Sequence, residues 1–287
     1  MAEVGISSIA GYLPRLRLSK KTVAQANSWL APNLVGKGKG TRSMANWDED
    51  SVTMAVEAVR RILGGDDDRS QVDTLFFAST TMPFADRLNS GIMRAALTLE
   101  EETQCIDISS TLKSGTSALI QALDKVKSGK SNYSIVSAAD KRKSRSASSQ
   151  ELDFGDGSVA IAVDTKNLIA KYINSSSLSI DFVDHFRGPS EEFDYNWEER
   201  WVRDEGYLKI VPKAIKDLFT KTNISGSDID HFVLPSVFPR VDQMIAKKCE
   251  INPENVVSNL AQSVGDTGSA HSLLTVSYTH LTLPTKA

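Results

Sequence analysis

The sequence predicts an α/β fold built from one structural unit that occurs twice along the chain. The unit is a buried strand, a turn of small polar residues, a helix and a second strand, and it is clearest at residues 105–140. There, apolar β-branched residues predict the strand, and apolar side chains three and four positions apart predict the helix. The first copy would be residues 1 to about 165 and the second copy the remainder, in which another glycine-rich turn precedes a helix at residues 264–270. A repeated α/β unit predicts a duplicated architecture.

The composition excludes several classes of protein. Of the 287 residues, 40% are hydrophobic and 24% are charged, as in an ordinary globular chain, and the net charge of −3 gives no basic field for nucleic acid. No apolar run reaches the ~20 residues that span a bilayer, and no signal peptide is evident. Cys105 and Cys249 lie far apart in apolar segments, which predicts reduced core thiols in a cytoplasmic protein.

The first half, residues 1–165, reads as alternating strands and helices. Residues 4–12 predict a strand, and Ser19 is placed to cap the helix after it. Acidic residues at 48–51 predict the start of a long helix, and Gly64 its end. A buried strand is predicted at residues 73–79 and a helix at 89–99.

Three charged loops interrupt these elements. The glycine–lysine loop at residues 36–42 lacks the phosphate-loop spacing, so it is either a solvated loop or a contact for an anionic ligand such as a nucleotide phosphate. The basic loop at residues 141–145 is either a solvated turn or a docking patch for an acidic carrier or a ligand phosphate. The acidic run at 66–68 predicts a solvated turn rather than a metal site, because no ligand spacing accompanies it.

The turn at residues 109–116 is the strongest candidate for a functional site. A strand that feeds a helix through small residues directs backbone N–H groups and the helix dipole at one place. Enzymes put nucleophiles and oxyanion holes there, but this turn carries Leu112 and Lys113 and no obvious nucleophile.

The second half, residues 166–275, has weaker signals. Residues 168–180 predict strand edges, and the acidic and aromatic stretch at 191–205 predicts a surface excursion, either a lid or a partner contact. Helices are predicted at 207–219 and 241–249, with a strand at 229–234 between them.

Five strings, in the right order, resemble condensing enzymes of the thiolase superfamily, especially the 3-hydroxy-3-methylglutaryl-CoA synthase and ketoacyl-acyl-carrier-protein synthase III branches. They are residues 11–14, 115–119, 154–157, 184–189 and 265–270. The resemblance implies a thiolase-like, duplicated αβαβα fold of five layers. It also implies acyl-CoA or acyl-carrier-protein thioesters as substrates and a homodimer, or a heteromer with a thiolase-fold or small accessory protein.

The same resemblance assigns site residues, and the catalytic ones match poorly. The family's acylated Cys falls on Leu112, its general-base Glu on Thr80, and the Asn of the synthase III branch on Asp266. Leucine cannot be acylated, and threonine is no general base at neutral pH. The family's His should lie near residues 234–239, which contain none. The substrate-binding positions that remain are Lys113, Ser114, Gly115, Gly265 and Thr267.

Other groups do not restore the family's mechanism. Cys105 precedes Leu112 by seven positions, at the start of a strand, and is interpreted as a packed core thiol. His231 is either structural or a polar residue of the site. The hydroxyls of Ser109, Ser110, Ser114 and Ser117 have no evident histidine base, so a serine mechanism is unsupported. No ligand cluster or dinucleotide fingerprint predicts a metal or an organic cofactor, and coenzyme A enters only as part of the substrate.

The end of the chain does not resemble the family, which continues past the motif at 265–270 with a helix and closing strands. Residues 276–287 are interpreted as a non-native tail, without a function for His280, and the C-terminal half as truncated.

Three hypotheses remain: an acyl-thioester enzyme with altered chemistry, a non-catalytic subunit of a larger assembly, or an inactive fragment. An enzyme or acyl-CoA binder needs an open tunnel that ends beside Leu112, whereas a scaffold would fill it.

Overall fold

The fold is taken from a computed structural model that describes residues 3–64 and 69–282. The predicted acidic turn at 66–68 lies outside the described residues, as do residues 283–287 of the predicted tail. The tail residues that are described continue the last helix. No described helix is both long enough and apolar enough to cross a membrane.

Six strands of the described chain form one mixed sheet, in the order β5-β4-β6-β7-β1-β8. β4 pairs in parallel with both β5 and β6, and the remaining pairs are antiparallel. Two small antiparallel pairs, β2 with β3 and β9 with β10, lie outside it. The strands are β1 Gly5–Tyr12, β2 Leu16–Ser19, β3 Thr41–Met44, β4 Thr74–Ala78, β5 Gln104–Ile108, β6 Ser134–Asp140, β7 Gly157–Asp164, β8 Ala170–Lys171, β9 His185–Phe186 and β10 Tyr195–Asn196.

Helices connect the strands and include the longest regular elements of the second half. The helices are α1 Lys20–Ala26, α2 Ser51–Leu63, α3 Asn89–Ala96, α4 Ser114–Lys127, α5 Gln150–Asp153, α6 Glu199–Trp201, α7 Leu208–Thr222, α8 Val241–Lys248 and α9 His271–Thr282. A π-helical segment, Val202–Tyr207, joins α6 to α7, and one turn of 3-10 helix, Gly268–Ala270, precedes α9.

Side-chain caps explain where the early helices begin. Ser19 accepts a hydrogen bond from the Thr22 amide and so caps α1, as predicted. Asp50 caps α2 in a reciprocal pair with Thr53, so the acidic residues precede this helix rather than occupying its first turn. Gly64 follows the last residue of α2 and has φ of 63°. Glycine adopts a positive φ at a lower conformational energy than other residues, because it has no Cβ atom.

The sheet separates two apolar cores, which gives three layers. Phe77 of β4 packs with α2 and α3 on one face of the sheet, and the adjacent Phe76 packs with α4 and α9 on the other. Side chains alternate between faces along a strand, so a run that is apolar throughout predicts a strand buried on both sides. The mixed α/β class predicted from the sequence is therefore confirmed.

The second half does not repeat the sheet. The predicted strand at 229–234 is wrong, because its one backbone bridge in the described chain joins Phe232 to Val256. These extended residues instead pack against α7 and α8 in a third core that contains Val241 and Ile245. A lone bridge leaves no ladder on which further strands could pair. The five-layer, duplicated arrangement is consequently not formed by the described residues.

β5 also differs from its prediction. Among the described strands it pairs only with β4, at the edge of the sheet, and its residues 105–108 are half-buried rather than enclosed. Its other edge leaves backbone N–H and C=O groups without strand partners, which favours pairing with another chain.

Candidate functional site

The start of α4, the turn before α9 and the end of β6 meet in close backbone contact. A Cβ atom on Gly115 would lie within 3.0 Å of the Ser269 carbonyl oxygen. Gly268 has φ of +64°, and a Cβ atom there would meet the Asp140 carboxylate. The resemblance strings at 115–119 and 265–270 are thus in direct contact, as two parts of one site would be.

The Gly115 contact leads to a prediction about stability. Replacing Gly115 with alanine should lower the free energy of unfolding by about 2–3 kcal/mol, because the new methyl group overlaps a backbone oxygen that cannot move independently. Urea denaturation measures the change. The control is Gly36→Ala, where no atom lies within 4 Å of the added carbon. Equal effects of the two substitutions would contradict the close contact.

Asp140 holds three segments of this site together. It is fully buried, and its Oδ1 accepts hydrogen bonds from the hydroxyls of Ser79, Thr80 and Thr81 and from the Thr80 amide, at 2.8–3.0 Å. Its Oδ2 accepts a 2.7 Å bond from the Ser269 amide. Buried carboxylates are stable only when their oxygens are satisfied in this way.

Thr80, the position of the family's general base, is bound within this network. Its hydroxyl faces Asp140, and its carbonyl accepts a bond from the Arg187 guanidinium. Thr80 does not border the adjacent cavity. A side chain held on Asp140 in this way cannot also serve as a proton acceptor for a ligand.

A cavity of about 760 Å³ lies beside α4. It is large enough for a sizeable organic ligand. Among the residues that line it are Leu112, Arg142, Asp153, His185, Tyr207 and Asp266. Leu112 therefore faces open space.

Two predicted basic loops contribute to the cavity. Lys37 and Lys39 of the glycine–lysine loop line it, with Arg240 from the start of α8. Lys37 also forms a 2.7 Å ion pair with Glu199 at the exposed rim. From the second loop, Arg142 is buried rather than solvated, while Lys143 pairs with Glu192 at 2.9 Å. Cations from both loops thus contribute to the cavity wall.

Arg142 and Asp266 form the main buried ion pair of the cavity. The guanidinium Nη2 lies 2.7 Å from Asp266 Oδ2, with side-chain exposures of 2% and 20%. It also donates to the Asp266 carbonyl and stacks over the Phe154 ring. Burial alone would raise the pKa of Asp266, but the charges of Arg142 and His271 overcome that effect and lower it to about 2. Asp266 is therefore ionised and held in an ion pair with Arg142.

Two titratable groups of the cavity wall have raised pKa values. Burial raises the pKa of Asp153 to about 6, against the opposing charges of Lys20 and Lys37. His185 Nδ1 lies 2.9 Å from Asp184 Oδ1, and this hydrogen bond raises the pKa of the imidazole. Titratable groups with shifted pKa values in a cavity are typical of functional sites.

The remaining sequence candidates lie around the cavity rather than in it. Lys113 is exposed, Ser114 is buried, and Gly115 packs on Ser269. Gly265 packs on the backbone of residues 153–155, and Thr267 is buried against His271. Of the positions assigned by the resemblance, Leu112 and Asp266 border the cavity, whereas Thr80 and these five do not.

The alternative nucleophiles and bases do not line the cavity either. Burial raises the thiol pKa of both Cys105 and Cys249, which favours the protonated, unreactive form. Ser109 and Ser110 are exposed, and so is His231, which does not line the cavity. Within residues 3–64 and 69–282, no cluster of three His, Cys, Asp or Glu side chains is arranged to hold a metal.

Sequence reasoning missed three residues of the site: Asp140, Arg142 and His185. Asp140 and Arg142 had a signal, since Asp140 ends a buried strand in the centre of the sheet and Arg142 comes two residues later. His185 stands in the string at 184–189, which was used only for its resemblance. A histidine directly after an aspartate in that string was itself a signal of acid–base chemistry.

Comparison with known proteins agrees with the fold. No protein-family model matches the chain. The hydroxymethylglutaryl-CoA synthase of Caldivirga maquilingensis is 28% identical over 279 residues, which are 94% of this chain and 78% of that protein. A crystal structure of HMG-CoA synthase complexed with CoA has a TM-score of 0.85 at 19% identity, covering 96% of this chain and 74% of that chain.

A second structure, a 3-oxoacyl-(acyl-carrier-protein) synthase III, has a TM-score of 0.77 at 20% identity and covers 98% of this chain and 93% of that chain. These similarities confirm the predicted resemblance to condensing enzymes of the thiolase superfamily. They also confirm the mixed α/β, thiolase-like fold. The predicted truncation of the second half is not supported, because so much of the synthase III chain is covered.

Proposed function

We propose that this protein acts on acyl-CoA or acyl-carrier-protein thioesters, as a hydroxymethylglutaryl-CoA synthase-like acyltransferase that forms no acyl-cysteine. The observation that carries the proposal is the cavity of about 760 Å³ that reaches Leu112. A scaffold that had lost its ligand would gain stability by filling such a space, because interiors pack densely. An open cavity at this position favours a bound acyl group.

The charges around the cavity support a coenzyme A or carrier phosphate as part of the ligand. Lys39 and Arg240 line the cavity, and neither has an ion-pair partner in the described chain. Phosphates bind at such places through charge-assisted hydrogen bonds. The thioester itself would then extend toward Leu112.

Leu112 decides how the acyl group is held. It stands at the position of the family's nucleophile, at the start of α4, where a helix dipole would stabilise a thiolate. A leucine side chain has no atom that can be acylated. The thioester would therefore remain intact on binding, and its carbonyl would be polarised by groups of the cavity wall.

A non-catalytic subunit is the second candidate, and one observation favours it. Thr80 is bound to Asp140, so neither family position, Thr80 nor Leu112, offers an acid, base or nucleophile. Such a subunit would pair with an active homologue or an accessory protein. The open edge of β5 supports pairing of this kind, or a homodimer, through added strands.

The free thiols of Cys105 and Cys249 support a reducing compartment such as the cytoplasm.

Calorimetry and intact mass together test the proposal. We expect the purified protein to bind acetyl-CoA or acetoacetyl-CoA without any gain of mass. We expect Leu112→Cys to gain one acetyl group, which peptide mapping would locate at position 112, because the helix N-terminus activates the new thiol.

Leu119→Cys is the matched control, since it places a thiol in the same helix but outside the cavity. It should gain no mass. A folded wild-type protein that binds neither thioester would contradict the enzyme hypothesis and favour the subunit. Acylation of the wild-type protein would contradict the absence of a covalent nucleophile.

A further inference from the structure

Asp184 and His185 form an acid–base pair on the wall of the cavity. His185 lies in β9, where it pairs with Asn196 of β10, and its side chain is 26% exposed. Asp184 Oδ1 accepts a 2.7 Å hydrogen bond from the His185 amide and lies 2.9 Å from its Nδ1. One carboxylate thus contacts both the backbone and the ring of the histidine, which restricts the ring's orientation.

The contact with Asp184 also decides which ring nitrogen is reactive. A carboxylate beside Nδ1 favours the tautomer with the proton on Nδ1, so the lone pair is on Nε2. Within the described chain, Nε2 has no hydrogen-bond partner. His185 lines the same cavity as Leu112. The ring therefore presents a free base to whatever occupies the cavity.

We propose that His185, oriented by Asp184, is a general base that activates water for hydrolysis of the acyl thioester in the cavity. This inference rests on the proposed function, because it requires the thioester to bind beside Leu112. It adds an activity, thioester hydrolysis, and a residue that performs it.

The bonds and protons balance with water as the only co-reactant. As the water oxygen bonds to the thioester carbonyl carbon, one water proton moves to His185 Nε2. The tetrahedral intermediate then collapses, the C–S bond breaks, and the imidazolium returns the proton to the leaving thiolate. The products are the free acid and the free thiol, and His185 ends as it began. Asp184 stays ionised throughout and stabilises the imidazolium.

Leu112 favours water over an enzyme nucleophile as the acyl acceptor. With no thiol at this position, acyl transfer must go directly to an acceptor that enters the cavity. The wall combines apolar surface near Leu112 with polar groups such as Asn196 and Gln262, so it can hold both an acyl chain and water. Hydrolysis by water then also requires a base next to this space, which His185 provides.

The charges around His185 predict the pH dependence of hydrolysis. Asp184 and Asp194 raise the pKa of His185, while burial and Arg142 lower it, and the net shift is upward. Because the neutral ring is the base, the rate should rise as the pH passes this raised pKa and then level off. Asp184→Asn removes the strongest upward influence. It should move the rising limb to lower pH and also slow the reaction, as expected of a positioning residue.

The experiment measures release of free CoA from acetyl-CoA and acetoacetyl-CoA by chromatography, together with calorimetric binding. We expect His185→Gln to slow hydrolysis at least about 100-fold, the usual contribution of a general base, while CoA binding stays within about threefold. His231→Gln is the matched control, because His231 is exposed and does not line the cavity. Circular dichroism and thermal unfolding would check that each variant is folded.

The two measurements separate failure of the inference from failure of the proposed function. Binding of the thioester without hydrolysis above the rate in buffer would overturn the inference and leave the proposed function standing. The inference would also be overturned if His185→Gln hydrolysed the thioester as fast as wild type, or if His231→Gln lost as much hydrolysis as His185→Gln. Detection of an acyl-protein intermediate by intact mass would overturn it as well. Absence of binding would overturn the proposed function, and the inference with it.

Discussion

Replacing Asp140 with alanine is expected to lower the free energy of unfolding by about 4–5 kcal/mol. The substitution removes the acceptor for hydrogen bonds from Ser79, Thr80, Thr81 and Ser269, whose donors are buried at Ser79 and Ser269 and partly buried at Thr80 and Thr81. Each unsatisfied buried donor costs about 1–3 kcal/mol, and the losses within one network are not additive. Urea denaturation followed by circular dichroism would measure the change.

Two further variants make the Asp140 result specific. Asp140→Asn keeps the shape but offers one acceptor oxygen in place of two, so about half the loss is expected. Asp164→Ala is the control, because Asp164 accepts only local bonds from Thr165 and Lys166 and is partly exposed. It should change stability by less than about 1 kcal/mol. A comparable loss in both alanine variants would contradict a special role for Asp140.

The second large effect is expected for Asp266→Asn, although asparagine is what the synthase III branch carries at this position. The variant leaves the Arg142 guanidinium buried without its anion, and breaking a buried pair costs about 3–5 kcal/mol. We expect the lower end of that range, because the Asp266 side chain is 20% exposed.

The pH dependence of this effect follows from the pKa of Asp266, which folding lowers from 3.8 to about 2. A carboxyl with a lowered pKa contributes its stability in full above pH ~4 and loses it as the pH falls toward 2. The shift corresponds to about 2 kcal/mol. The difference between wild type and Asp266→Asn should therefore be constant from pH 7 to 5 and shrink below pH 4. A difference independent of pH would contradict the ion-pair explanation.

Local sequence signals predicted the first half of the fold well. Apolar runs as short as β4 and β6 favour strands over helices, and the caps at Ser19 and Asp50 define where helices begin. The strand predicted at 229–234 failed because its apolar residues have the right spacing but no neighbouring strands. Whether a β-type sequence becomes a sheet depends on partners that the local pattern does not specify.

The site was less predictable because long-range contacts create it. Arg142 and Asp266 are separated by more than a hundred residues, and nothing in either local sequence indicates the other. The position of Leu112 came from the resemblance, but the cavity beside it required the packing of α4, α8 and the turn before α9. His185 became a candidate base only when the fold brought β9 to the same cavity.

The order of strands in the sheet has a consequence for synthesis on the ribosome. β1 is made before its partners, β7 and β8, which come from the middle of the chain, as the pairing of Gly5 with Asp164 shows. At about 5–20 residues per second, β1 remains without a partner for on the order of ten seconds, while β4, α3 and β5 can already assemble. The nascent chain thus exposes β1 to chaperones and to neighbouring nascent chains throughout that interval.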